Sequence, residues 1–574
     1  MPDLQMEPTP DNAHSLEGLS PSVVLWTRRV WYALAAVVLL PLVFAFVQTP
    51  IQFSDVLTGP HMFYSPKGDF TSASEIVPNY VHSLFHSIYL MRPTQVLFNN
   101  LQYVLFGPEP GAMYVVKWAM KFASALLVLS ILGRLGVDDL SRLATGALVL
   151  FHPSCLDPLL WSADGQAAFL MLATIALSLR FAEAGNLLQI DRLQWRQYLA
   201  LFVVWFLTLG AKEVCFVYCS CLVLVWQAVA YRSRWAWLKL APFYSALAFW
   251  AYRLAGLGRV SAATAIQISD VAERVEGQLK LISPPSPHSA LSWICLLLIG
   301  LAVIHIVRRN DHRIRWSILL FAAAAVGGVL FISIPEVRPS SRYVISLIYL
   351  FALLVGVGMS RLPRAAWPAK AVFVFLMPAW MAGDLYTQTL AFVQDMYEYN
   401  EALNYLESGI SRGFGIACSG RLSEHGCFER EAQETVKYYF EKYGPQFFGL
   451  QRAAQVSLLK DGDRPSYPYH LMTSLPLVEL EQGAIEGLDV DQISSAVQIE
   501  RQRLGPLAQM RERYVWLAAQ LGNEHTPPYD VGTVALSHTS RYFIYAVDGA
   551  GRDTSDPLPI ARVRPTYHPG AFIR

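Results

Sequence analysis

Apolar runs of about 18 or more residues recur through the first two thirds of this chain, and they limit its fold more than any other feature. A run that long crosses roughly 30 Å of hydrocarbon as a helix, and in lipid only helices and closed barrels satisfy their own backbone groups. The 574 residues are 54% hydrophobic and 16% charged, where a soluble domain carries about 25% charged residues. The pattern predicts about eleven membrane spans: 30–48, 113–133, 142–153, 164–182, 198–210, 213–231, 237–256, 290–307, 315–334, 342–360 and 368–388. The third and fifth are short. Trp26 to Val47 reads as an uncleaved first span, because its apolar run is long and no small-residue cleavage site follows. Residues 1–20 are polar and are expected to form a disordered cytoplasmic N-terminus. A net charge of +1 implies no affinity for polyanions, so no nucleic-acid partner is expected.

Charge sets the expected orientation. With the N-terminus inside, alternate loops hold Arg28, Arg29, Arg134, Arg142, Arg192, Arg196, Arg232, Arg234, Lys239, Arg308, Arg309, Arg313, Arg315, Arg361, Arg364 and Lys370. The opposite short loops hold only Lys212, Arg338 and Arg342. This is the positive-inside bias. It places the loop 49–112, the loop 257–289 and everything beyond residue 390 on the extracytoplasmic side. The expected organisation is therefore a polytopic all-α membrane domain, 21–390, followed by a mixed α/β extracytoplasmic domain, 391–574.

The long first loop has structure of its own. Val77, Tyr80, Val81, Leu84, Phe85 and Ile88 follow helical spacing, with Asn79, His82, Ser83, His86 and Ser87 on the other face. That predicts an amphipathic helix on the membrane surface. A second helix, Thr94 to Phe106, follows the Arg92-Pro93 step, proline being well placed in a first helical turn. In the C-terminal region 401–406, 431–443 and 490–521 read as helices, while 534–547 and 560–563 read as strands. Cys418 and Cys427, in a polar turn-rich stretch, are a candidate disulfide if that stretch is extracytoplasmic.

An acid-bearing first loop at a water–lipid border suits chemistry better than conduction. Transfer of a sugar from a lipid phosphate needs a carboxylate to take the acceptor's proton. It also needs cations to hold the departing phosphate. The carboxylate candidates are Asp55 and Asp69 in the first loop and Asp157 in the next outer loop; each reads equally as a turn or helix cap. Asp164 reads as the cap of the fourth span. The cation candidates are Arg92, Lys212, Arg338 and Arg342. The plainer alternatives are a solvated or snorkelling Lys212-Glu213 hairpin pair and arginines partnered by Glu336. His82 and His86, four apart, have metal-ligand spacing, although such a pair is more often the wet face of an interfacial helix; no cofactor is otherwise expected.

In their order, these pieces resemble the GT-C superfamily of polytopic glycosyltransferases, nearest to the transmembrane O-mannosyltransferases with tetratricopeptide repeats and their bacterial relatives. The resemblance rests on an acid after the first span, Arg92-Pro93 with Leu105-Phe106-Gly107-Pro108-Glu109-Pro110, His152-Pro153 with Asp157 and Trp161, and Lys212-Glu213 followed by Arg342-Tyr343. It covers about residues 30–360. It implies a polyprenyl-phosphate-sugar donor, a protein or glycan acceptor, a first-loop acid as base, and a place among membrane lipids, in a bacterial inner membrane. Ser54 stands where the family often has a second acid, Asp157 where it usually has glutamate, and the repeats are absent. The rival readings are a lipid-linked glycan flippase or transporter, an oligosaccharide polymerase or ligase, and a non-catalytic scaffold.

Overall fold

The structure is a computed structural model. It describes residues 21–47, 73–86, 92–106, 110–152, 162–182, 188–256, 272–276, 341–362, 414–419, 456–459, 468–473, 476–483, 488–499, 542–548 and 558–563, with one helical run, 323–330, and scattered helical residues between 297 and 409. The described part is mostly helical. In chain order its main helices are α1 (Pro21–Val47), α2 (Ile76–His86), α3 (Pro93–Phe106), α4 (Pro110–Arg134), α5 (Asp139–Phe151), α6 (Ser162–Phe181), α7 (Trp195–Leu209), α8 (Cys215–Val229), α9 (Arg234–Gly256) and α10 (Ser341–Ser360). The expected spans 113–133, 142–153, 164–182, 198–210, 213–231, 237–256 and 342–360 coincide with helices to within three residues, whereas α1 begins nine residues before the expected 30–48; the spans expected at 315–334 and 368–388 are described only in part. The span expected at 290–307 lies almost wholly outside the described residues.

Two of the helices, over Leu25–Val47 and Gly111–Arg134, are long and apolar enough to cross a membrane; Trp195–Leu209, Cys215–Val229 and Ile345–Ser360 are shorter apolar helices. Their surfaces are as informative as their lengths. Val37 is 69% exposed, Phe44 63%, Leu126 58% and Leu224 58%. Apolar outer faces of this extent are costly in water and suit contact with lipid.

The helices run up and down between two ends. One, the hairpin end, carries Val47, Gly111, Ser162, the turn 210–214 and α3. At the other, the arginine end, Asp138 caps α5 through Ser141 N (3.1 Å) and Ser141 Oγ (2.7 Å). Lys370 Nζ reaches Asp138 at 2.9 Å. Arg28 and Arg142 converge on Asp139. The α4–α5 turn there closes on Gly136 (φ +71°), with Val137 N bonded to Leu132 O at 3.0 Å; a left-handed residue after a helix end is the position glycine fills at least cost. Within α1–α10 the exposed arginines, Arg29, Arg134, Arg180, Arg192, Arg196, Arg232 and Arg234, all lie at this end. The segregation is the one that the loop charges predicted.

Packing is dense along α4, α5, α6 and α10, whose facing residues are small or aliphatic. Between α7, α8 and α9 the core is aromatic, with Phe202, Trp205 and Trp226 crowding Phe243 at 4.8–5.5 Å between ring centroids. Several buried hydroxyls are satisfied locally or across helices, as in Thr174 Oγ1 to Thr208 Oγ1 at 2.9 Å.

The C-terminal residues form one six-stranded mixed sheet in the order β2-β1-β3-β5-β4-β6. The strands are β1 (Gly415–Ser419), β2 (Val456–Leu459), β3 (Tyr469–Thr473), β4 (Ile493–Ile499), β5 (Tyr542–Val547) and β6 (Ile560–Val563). Val497, Ile499 and Ile544 join the same apolar cluster as Ala402 and Leu406. Strands β5 and β6 fall where expected. The helix expected from 490 does not: after a short 3-10 turn, Ile493–Ile499 pairs antiparallel with β5. A register shift between Ile493 and Ser495 breaks the strand's alternation, so its buried residues 493, 496, 497 and 499 mimic a helical period.

Candidate functional site

The Arg92-Pro93-Thr94 run begins α3 and docks on the hairpin that joins α7 to α8. Thr94 N donates to Gly210 O (3.0 Å) and Thr94 Oγ1 to Leu207 O (2.8 Å). A Cβ on Gly210 would stand 2.7 Å from Thr94 Oγ1, so only glycine allows this approach. Beside it, Arg92 Nε lies 3.2 Å from both oxygens of Glu213, and its Nη2 3.1 Å from Oε2. One residue earlier on the same hairpin, Lys212 Nζ pairs with Asp164 Oδ1 in the first turn of α6. Both of those side chains are 4% exposed. Successive residues of opposite charge thus clasp two different helices to one turn, and both charges carry the partners that burial demands.

Just inside this clasp is a small cleft, about 340 Å³ of atom-free space counted out to its mouth, lined by Gln102 of α3, Lys117, Met120, Lys121 and Ser124 of α4, Gly165 and Gln166 of α6, and Tyr349 of α10. The two lysines stand one helical turn apart on an otherwise apolar helix and are only 5% and 4% exposed. At 1.5 Å per residue they sit about 10 and 16 Å from the start of α4, in the half nearer the hairpin end. Their ammonium groups lie 5.3 Å from the Tyr114 ring and 4.9 Å from the Trp118 ring. Gln166 Nε2 is 3.5 Å from Asn99 Oδ1. Gln102 Nε2 and Gln166 Oε1 are buried with no hydrogen-bond partner among the described residues. Two cations and unmatched amides around one cleft suit an anionic, oxygen-rich group.

The cation candidates separate. Arg92 and Lys212 are held in the clasp. Arg342 stands in the first turn of α10, whose later residue Tyr349 lines the cavity. Arg338 lies outside the described residues, as do Asp55, Asp69, Asp157 and Cys427. Cys418 is a residue of β1. On α2, His82 is exposed and His86 is the last helical residue; among the described residues no group of three or more His, Cys, Asp or Glu is disposed to hold a metal. Lys117 and Lys121 were absent from the sequence candidates. Their signal was a lysine pair four apart inside a predicted span, where ionisable residues are costly and mark function.

Neither a protein-family model nor a curated protein matches the chain. Two solved structures align with most of it. ArnT from Cupriavidus metallidurans in the apo state does so with a TM-score of 0.45 and 10% identity, over 81% of this chain and 95% of that one. ArnT from the same organism bound to undecaprenyl phosphate gives 0.42 and 12%, over 80% and 95%. Similarity of this degree assigns neither a fold nor a ligand.

Proposed function

We propose that the chain is a polytopic membrane glycosyltransferase of GT-C type that takes its sugar from a polyprenyl-phosphate donor at the extracytoplasmic side. The observation that carries this reading is the buried Lys117–Lys121 pair around the cavity at the hairpin end. Two ammonium groups on the wall of one cleft offer positive charge to an anionic guest, and a phosphate leaving group gains negative charge as the glycosidic bond breaks. The sites are then matched to the charge that develops during reaction rather than to the resting donor. Gln102 and Gln166 would add amide contacts to phosphate or sugar oxygens, with Arg342 and Arg338 as further cations.

The acceptor's proton goes to a carboxylate of Asp55, Asp69 or Asp157. The acceptor oxygen bonds to the anomeric carbon, the anomeric C–O bond breaks, and its electron pair leaves on the lipid phosphate. The acceptor is a protein or a glycan, and the membrane is a bacterial inner membrane with the C-terminal sheet outside. A polymerase or ligase would act on the same side but would release a lipid diphosphate. A transporter would need the cavity to open toward the arginine end as well.

The test is transfer of labelled sugar from a synthetic polyprenyl-phosphate donor by the reconstituted protein. Lys117→Ala with Lys121→Ala is expected to lower transfer by about 100-fold or more, on the scale of removing charge-stabilising donors from an active site, while leaving the unfolding midpoint within a few degrees of wild type. Wild-type transfer by that double variant would remove the cavity from the reaction. Asp55→Asn, Asp69→Asn and Asp157→Asn, made singly, identify the base as the variant that loses transfer but keeps donor binding; if none does, the base lies elsewhere.

A further inference from the structure

A second opening lies at the arginine end, opposite the lysine cavity. It is an apolar slot between the last turns of α6 and α8 and the helical residues Leu320 and Phe321, with about 420 Å³ of atom-free space counted to its mouth. Ile175, Leu179, Leu188, Trp226 and Val229 are among its walls. Its polar wall residue, Ser178, donates its one hydroxyl proton to Thr174 O at 2.8 Å, so the slot offers no free donor to a polar guest.

The rim is the reverse. Exposed Arg180 follows Leu179, exposed Arg192 comes four residues after Leu188, and exposed Arg232 three after Val229. Arg232 lies over the Tyr231 ring at 5.2 Å. Trp195 and Trp235, each 70% exposed, flank the same end. Lys239 Nζ donates to Asp191 O and Leu193 O at 2.8 Å and so ties α9 to the segment that carries Arg192. Asp191 is the one acid among the described residues of this rim.

We propose that slot and rim together bind one anionic glycerophospholipid, an acyl chain in the slot and the phosphate among the arginines. The occupant follows from the pairing of chemistries. An apolar crevice alone takes any hydrocarbon, but guanidinium groups that outnumber acids at its mouth select a headgroup with net negative charge. Exposed tryptophans at the same level suit the interfacial zone where such a headgroup sits. The inference rests on the membrane reading of the chain but not on the chemistry assigned to the lysine cavity.

The experiment measures the unfolding midpoint of the detergent-purified full chain with dioleoyl phosphatidylglycerol, dioleoyl phosphatidylcholine or inorganic phosphate added, in parallel with sugar transfer. Phosphatidylglycerol alone is expected to raise the midpoint. Arg180→Gln, Arg192→Gln and Arg232→Gln combined, all at exposed positions, should abolish that shift and leave transfer intact. Val225→Phe, which fills the slot, should reduce it. An equal shift with phosphatidylcholine or phosphate overturns the proposal, as does an undiminished shift in the triple arginine variant. A rise in donor KM on filling the slot, with the phosphatidylglycerol shift unchanged, assigns the slot to the donor's hydrocarbon tail and overturns it equally. Wild-type transfer in the lysine variants with the lipid shift intact would sink the catalytic reading and leave this one standing.

Discussion

Lys212 and Glu213 show how much a single residue's role depends on what faces it. As neighbours in a short hairpin they read as a solvated pair, or as a cation waiting for phosphate; folded, each reaches an opposite charge on a different helix. The Asp164–Lys212 pair is buried, so its worth is unequal to the cost of halving it. Lys212→Met should destabilise by about 3–5 kcal/mol, because it strands the Asp164 charge, whereas Lys212→Met with Asp164→Leu should recover most of that loss. Thermal unfolding of the two variants decides it, and a double variant no better than the single would mean the pair is not coupled. Tyr80 makes a sharper point about burial. Its phenol is pushed up to about 12 by desolvation alone, against about 10 in an unfolded chain. Between those values the folded state holds a proton the unfolded state has lost, so stability falls as pH rises from about 10 through 12. Tyr80→Phe should flatten that part of the pH–stability curve; an unchanged slope would place the titration elsewhere.

At the scale of elements, α2 is the informative case. Its expected two-sidedness is present, but Asn79 and Ser83 of the polar face turn inward and are buried, while His82 is exposed and Val77, Val81 and Phe85 are 66%, 45% and 54% exposed. Phe85 also meets Phe249 of α9 at 5.7 Å. An apolar stripe turned outward beside apolar spans fits a helix lying in the headgroup boundary. Spin labels at Val77 and Val81 in liposomes should be shielded from a water-soluble relaxation agent and open to oxygen, with a label at His82 the reverse. Equal access at all three would remove α2 from the interface. The α3 start was legible because Pro93 marks a first turn, whereas the contact that fixes α3 was not. Gly210→Val would drive Cβ into Thr94 Oγ1 and separate α3 from the hairpin, costing about 1–3 kcal/mol, readable as a lower unfolding midpoint; an unchanged midpoint would show that the contact is slack.

Across the whole molecule, loop charge predicted the segregation of arginines that the helices display. That prediction needed no tertiary detail, since alternate spans must present their flanks to alternate sides. Cysteines placed at Arg232 and at His82, both exposed, in otherwise cysteine-free protein should label from opposite sides of sealed vesicles; labelling from one side would break the up-and-down order. The lysine cavity was hidden for the opposite reason. Lys117 and Lys121 lie within a span whose apolar average absorbs two charges. Strand β4 was misread because its bulge gave a strand the burial rhythm of a helix.

Hydropathy by itself determined where helices form, and basic residues determined which ends lie together, because both are one-dimensional consequences of what each segment must face. Tertiary structure alone decided which remote groups each charge meets. Arg92 and Lys212 found carboxylates across the fold, and Lys117 and Lys121 were brought by helix packing to the wall of a shared cleft with Gln102 and Gln166. Partner choice in a low-dielectric interior depends on distance between remote segments, and that distance exists only once the helices have packed.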